Sequence, residues 1–194
     1  MTKPIIIAIC GKSAVGKDTA AKELYCRLQK LDQDCGLLVS DTTRPIRAGE
    51  TEGVDYNFIN DLSFLKGINK KDYLEWSTFK GWYYGTQKSQ LTHKINIGVF
   101  NPAGVNALLR QSADYVIVPI LLTTPLFTRL YRSYKREHSW KMEFLRRAWH
   151  DYKDFIDFED KIRAHKHWRI LDNYSSPVNI ATAIIWHLKE EGLF

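Results

Sequence analysis

Two glycines and a lysine in Gly11-Lys12-Ser13-Ala14-Val15-Gly16-Lys17 are spaced for one kind of chemistry, the cradling of a phosphate. In this spacing, that of a Walker loop, glycines let successive backbone N–H groups turn inward, and a helix starting there points its positive end at the same anion. The Lys17 ammonium then acts as a mobile point charge for the outer phosphates of a nucleotide. Gly11 to Lys17, with Asp18 and Thr19, are the candidate ATP-binding residues. Asp18 stands where such loops carry a Ser or Thr that ligates magnesium, and Thr19 follows one place later. Asp18 is therefore read in two ways: it holds the Mg2+ that accompanies ATP through water, or it favours the helix N-terminus.

A second constellation suits a phosphorylated acceptor. Arg44 and Arg47, three apart beside a turn, can grip a phosphate dianion from two sides, and the hydroxyls of Tyr56 and Tyr84 can donate to it. The segments Ser40-Asp41-Thr42-Thr43-Arg44-Pro45-Ile46-Arg47-Ala48-Gly49-Glu50, Gly53-Val54-Asp55-Tyr56-Asn57-Phe58, Tyr73-Leu74-Glu75-Trp76 and Gly81-Trp82-Tyr83-Tyr84-Gly85-Thr86 closely resemble the acceptor-binding region of guanylate kinases. With the glycine loop they cover roughly the first 90 residues in family order.

The resemblance implies a GMP or dGMP site made of Ser40, Arg44, Arg47, Tyr56, Glu75, Tyr84, Thr86 and Asn101. Glu75 would accept from the ring N–H and exocyclic amine of guanine, a paired donor edge that adenine lacks. Ser40 and Thr86 would bond the base from its other edges. The family's strand-end acids are replaced here by Val99 and Asn101, a neutral amide that both donates and accepts. Arg129, Arg146 and Arg147 resemble the family's lid, with Arg147 as the implied catalytic arginine beside Lys17 and Arg44. Asn173, in Trp168-Arg169-Ile170-Leu171-Asp172-Asn173, resembles an asparagine near the adenine of ATP.

These residues need a scaffold, and the apolar pattern supplies it. Ile5 to Cys10 reads as a strand buried on both faces, and Ala20, Ala21, Leu24, Leu28 and Leu31 recur at helical spacing after the loop. Further strands are expected at 37–39, 97–100, 115–122 and 168–171, with Ser176-Pro177 opening a last helix that stops at Gly192. The expected fold class is α/β: a P-loop NTPase-type parallel sheet covered by helices, with a nucleotide-binding insertion and a helical lid. One domain over 1–194 is expected, with its core at about 1–40, 95–125 and 165–194, acceptor region at about 41–92, and lid at about 128–165.

The net charge of +6 is local, since 129–169 holds 12 basic and 7 acidic side chains. Such a patch suits nucleic acid, a membrane surface or the phosphates of a small ligand, and charge alone does not choose between them; no nucleic-acid module accompanies it. Three cysteines without metal spacing, and no leader or spanning run, point to a cytoplasmic protein away from membranes, monomer or homodimer, whose partners are small nucleotides. Two alternatives stand beside a GMP or dGMP kinase. Ribose 1,5-bisphosphate phosphokinases resemble this chain in Asp18 and Asn101, and guanylate-kinase-like scaffold modules hold phosphorylated peptides in the acceptor cleft but commonly lose the loop that is intact here.

Overall fold

The computed structural model describes residues 3–47, 49–79, 81–137, 149, 151–173 and 176–194. In chain order β1 (Ile5–Gly11) leads into α1 (Lys17–Lys30) and β2 (Cys35–Leu37), after which the chain leaves the first sheet. It then forms β3 (Asp41–Thr42), β4 (Asn57–Phe58), α2 (Asp61–Lys70), β5 (Tyr73–Phe79) and β6 (Trp82–Gln87). It returns through β7 (Ile95–Val99), α3 (Pro102–Leu109), β8 (Val116–Thr123) and α4 (Leu126–Glu137), and closes with α5 (Phe158–Arg163), β9 (Arg169–Asp172) and α6 (Pro177–Glu190).

The first sheet has the order β2-β7-β1-β8-β9, every pair parallel. Strand β1 is its centre and is buried throughout. Alternation divides its side chains between two cores. Ile5, Ile7 and Ile9 pack with Leu24 and Leu28 of α1 and Ile184 and Leu188 of α6. Ile6, Ala8 and Cys10 pack with Val105 and Leu108 of α3 and Phe158 and Ile162 of α5. Each fully buried isoleucine contributes roughly 2–3 kcal/mol of transfer free energy. A polar substitution at Ile6 or Ile7 would therefore disrupt one helix layer.

The second sheet runs β4-β3-β6-β5, with β3 parallel to β4 and the β3–β6 and β5–β6 pairs antiparallel. The apolar pattern points only to parallel strands, and the antiparallel pairs of this second sheet depart from it. Gly81, at φ 82, lies between the paired Phe79 and Trp82, and that hairpin builds half the sheet. Glu75, Ser77, Tyr84 and Thr86 fall on one face, while Trp76, Tyr83 and Gly85 fall on the other. Helix α2 covers the second face through Phe64, whose ring stacks on Tyr73 at 4.4 Å and on Tyr83 at 5.2 Å.

A buried carboxylate ties this sheet together. Asp41 is 1% exposed and accepts from Tyr73 Oη at 2.8 Å, Gln87 Nε2 at 2.6 Å and Asn57 Nδ2 at 2.9 Å. One side chain of β3 thereby bonds β4, β5 and β6, with neutral donors offsetting its desolvation.

Two expectations are corrected in detail. The edge strand lies at Cys35–Leu37, not 37–39. Ser176 occupies the N-cap position of α6 in extended backbone, but its hydroxyl makes no capping bond; Pro177 at the first helical position and the Asn179 N–H to Ser176 O bond at 3.0 Å start that helix.

Candidate active site

The glycine loop joins β1 to α1 at the carboxyl ends of the parallel strands, where α/β sheets place their ligands. Gly16 has φ 95 and Ala14 has φ 60, so the backbone turns left-handed twice within the loop. Gly11, at φ 156, lies against β8: a Cβ there would be 2.6 Å from Leu122 O and 2.9 Å from Val15 Cγ1. Gly11→Ala must therefore push strand or loop aside, and is expected to cost roughly 2–3 kcal/mol, a fall of about 5–10 °C in thermal unfolding. An unchanged melting temperature would contradict that close packing.

The loop is heavily bonded by its surroundings. Lys17 Nζ donates to Gly11 O at 2.9 Å and Lys12 O at 3.4 Å. Asn173, just after β9, donates from Nδ2 to Val15 O at 2.6 Å and is buried beneath the loop. Arg132 of α4 donates to Val15 O at 3.1 Å and Asn173 O at 3.0 Å. Asp151, which spacing gave no reason to single out, accepts from the Ser13 N–H at 2.8 Å and the Ser13 hydroxyl at 3.1 Å. A cavity of about 290 Å³ opens beside the loop, lined in part by Lys12, Val15, Leu122, Thr124, Arg129 and Phe155.

Across from the loop, Arg44 is 4% exposed and bonds both oxygens of Glu50 at 2.9 Å, while donating to Pro45 O at 2.7 Å. Its guanidinium lies 5.4 Å from the ring centres of both Tyr56 and Phe58. Burial alone would lower the Arg44 pKa, and the Glu50 carboxylate and Tyr84 more than offset it, so the net shift is upward. Tyr56 and Tyr84 meet edge to face at 5.9 Å. Burial pushes the Tyr56 phenol up to about 12, aided by the charge of Asp18. That influence brings the start of α1 within electrostatic reach of the tyrosine pair. Arg47 is exposed, and its backbone N–H caps Glu50 at 2.8 Å.

Ser40, Thr86 and Glu75 form a row: Ser40 Oγ and Thr86 Oγ1 are 2.9 Å apart, and Thr86 Oγ1 donates to Glu75 Oε1 at 2.9 Å. Glu75 is 8% exposed, and burial pushes it up to about 7 against the lowering effect of Thr86 hydroxyl and N–H. Asn101 stands at the N-cap of α3: its Oδ1 accepts from the Gly104 N–H at 2.7 Å, and its Nδ2 donates to Ser77 Oγ at 2.9 Å. Both halves of the amide thus have bonds within the chain. Asp18 and Thr19 are exposed at the mouth of the loop. Arg146 and Arg147 lie outside the described residues, as does Ala48.

A glycine loop between a buried parallel strand and a helix, with a lysine at its end, gives this α/β fold the form of the Walker-loop class. A family model described as Guanylate kinase matches residues 1–100. The guanylate kinase of Prochlorococcus marinus subsp. pastoris is 44% identical over 93 residues, 48% of this chain and 48% of that protein. That of Thermobifida fusca is 39% identical over 93 residues, 48% of this chain and 45% of its own length. The chain spans about half the length of the curated relatives it matches. A crystal structure of guanylate kinase from Anaplasma phagocytophilum shares the fold, with a TM-score of 0.66 at 21% identity over 98% of this chain and 87% of that chain. The chain belongs to the guanylate kinase family. Among the described residues no helix is long and apolar enough to cross a membrane.

Proposed function

We propose that this chain transfers the terminal phosphoryl group of ATP to GMP or dGMP. The observation that carries this reading is the Ser40–Thr86–Glu75 row beside the Arg44–Tyr56–Tyr84 cluster. A base selector next to an anion clamp, facing a phosphate loop, suits a nucleoside monophosphate. The row has no use for ribose 1,5-bisphosphate, which carries no base.

In this reading, Gly11 to Lys17 hold the ATP phosphates through N–H groups and the Lys17 ammonium, while Arg44, Arg47, Tyr56 and Tyr84 hold the acceptor phosphate. An acceptor oxygen attacks the terminal phosphorus, the bond to the bridging oxygen breaks, and ADP departs with the electron pair. The acceptor is already anionic, so positioning and charge stabilisation suffice without a strong base. Magnesium bound to the ATP phosphates would neutralise charge on them. Asp18, exposed at the loop mouth, would face its water shell, a set of ligands suited to an ion that keeps most of its hydration. Arg147 and a lid at about 128–165 would screen the transferring group from water, and the region at about 41–92 would carry the acceptor. Free cysteines and nucleotide substrates suit the cytoplasm.

The test is ADP formation from Mg-ATP with GMP, dGMP, AMP, dTMP and ribose 1,5-bisphosphate offered separately. Turnover confined to GMP and dGMP is expected. Turnover with ribose 1,5-bisphosphate alone would move the assignment to that kinase, and none with any acceptor would leave the peptide-binding module.

Glu75 gives this reading a pH signature. Both guanine donors require an ionised carboxylate, and a pKa raised to about 7 leaves it mostly protonated below that value. Affinity for GMP is therefore expected to rise with pH through about 7 and to level off above about 8, with roughly a tenfold loss per unit on the acid side. GMP's own phosphate ionises near about 6, so the comparison is with Glu75→Gln, in which the step near 7 should vanish. A step that survives in the variant would assign it to another group.

A further inference from the structure

Arg129 of α4 is 6% exposed, and burial pulls its pKa down against the raising effect of Asp151. A guanidinium so buried calls for close anions on several of its donors. Its Nη1 lies 3.3 Å from both Ser13 O and Asp151 Oδ2, while Nε has no hydrogen-bond partner among the described residues. The same Asp151 carboxylate takes the Ser13 backbone N–H at 2.8 Å and the Ser13 hydroxyl at 3.1 Å. An inward N–H of a Walker loop, a hydroxyl beside it and an incompletely satisfied arginine are together a set of donors for a phosphate oxygen. Here they hold a carboxylate that lies 138 residues away in sequence. Lys17, the loop's own cation, is likewise turned back onto Gly11 O and Lys12 O.

We propose that Asp151 is an internal competitor of the nucleotide, its carboxylate occupying the outer end of the phosphate loop at Ser13 and Arg129 until a terminal phosphate displaces it. This inference rests on the reading of the loop as an ATP site. Ser13 lies before the left-handed turns at Ala14 and Gly16, on the side of the loop that faces α4. A ligand must reach that far to meet Asp151, so the competition falls on ATP and much less on ADP. A protein whose binding-competent form is only a fraction of the whole shows affinity reduced by that fraction, and removing the competitor restores it. The arrangement also keeps loop donors and a buried arginine bonded when no nucleotide is bound, and it lowers affinity for ATP relative to ADP.

Calorimetric titration of the full chain with Mg-ATP, Mg-ADP and GMP separately, for wild type, Asp151→Asn and Asp151→Ala, tests this. Both variants are expected to bind ATP about tenfold more tightly, ADP less than about threefold more tightly, and GMP unchanged. If Asp151 only staples the segment to the loop, the variants will melt earlier with the ratio of ATP to ADP affinity unmoved, and the proposal fails. Weaker ATP binding in both variants would also overturn it, marking Asp151 as a ligand-binding group. Should the alanine variant not fold, the isosteric asparagine alone decides, since it removes the charge and keeps the volume. Wild type and both variants failing to bind either ATP or ADP would instead overturn the ATP reading itself, a result distinct from unchanged ratios.

Discussion

Lys17→Met is expected to lower turnover of Mg-ATP and GMP by at least about a thousandfold, or roughly 4 kcal/mol of transition-state stabilisation, while leaving the melting temperature within a few degrees of wild type. Methionine keeps the unbranched stem that follows the loop backbone and removes only the charge. In the fold that charge is bonded to Gly11 O and Lys12 O, two carbonyls of an already well-tied loop, so its structural contribution is that of a partly exposed hydrogen bond. The catalytic contribution proposed for it is larger, because negative charge shifts toward the bridging oxygen as the phosphoryl group leaves, and a cation placed there acts on the transition state more than on the ground state. Steady-state rates with parallel thermal unfolding separate the two. Activity within tenfold of wild type would mean that the loop's N–H groups and the arginines carry the charge compensation without Lys17.

Glu75→Gln is expected to weaken GMP binding by two to three orders of magnitude and to erase most of the preference for guanine over adenine, with little change in ATP affinity. An amide at this position keeps the bond with Thr86 but presents an N–H toward a base edge that itself donates twice. Each charge-assisted hydrogen bond lost or opposed is worth about 1.5–3 kcal/mol. The variant relieves the desolvation that raises the native carboxyl, so it is also expected to be at least as stable as wild type. A loss of GMP affinity together with a loss of fold would be the wrong signature for a recognition residue. Competition binding of GMP and AMP, with ATP titrated separately, is the measurement.

The parts of this molecule that were legible in sequence are those whose logic is local. Strand β1, the loop and α1 follow from an apolar run, two glycines and a 3.6-residue stripe, all within residues 5–30. The second sheet was less legible because β3 and β4 are two residues each, too short for any periodicity to register. Its longer hairpin carried a signal, aromatic strands around Gly81, that the family motif overshadowed. Contacts made across the chain had no signal at all. Asp41 reaches Asn57, Tyr73 and Gln87 across separations of 16, 32 and 46 residues. Asp151 meets Ser13 across 138, and a lone aspartate in a charged stretch reads as a solvated face. Glu50 was visible only as part of a motif, and its bidentate grip on Arg44 required the turn to be folded. Arg129 and Arg132 fall in the stretch expected to form a lid, and both bond the loop's backbone; the resemblance said nothing of what these side chains touch.

The alternation along β5 and β6 also governs which genetic changes this region can absorb. Proposed recognition residues and packing residues follow one another singly along the same two strands, Glu75 beside Trp76 and Tyr83 beside Tyr84. A substitution disturbs one face only, whereas inserting or deleting a single codon turns every later side chain of that strand over, burying the carboxylate and hydroxyls under α2 and exposing the rings to the cleft. The register shift between Tyr73 and Glu75 is the one place where the strands already accommodate an unpaired residue. Changes in length between diverging copies of this chain should therefore gather at that bulge or at the Gly81 turn, with the stretches between them varying in residue type but not in count.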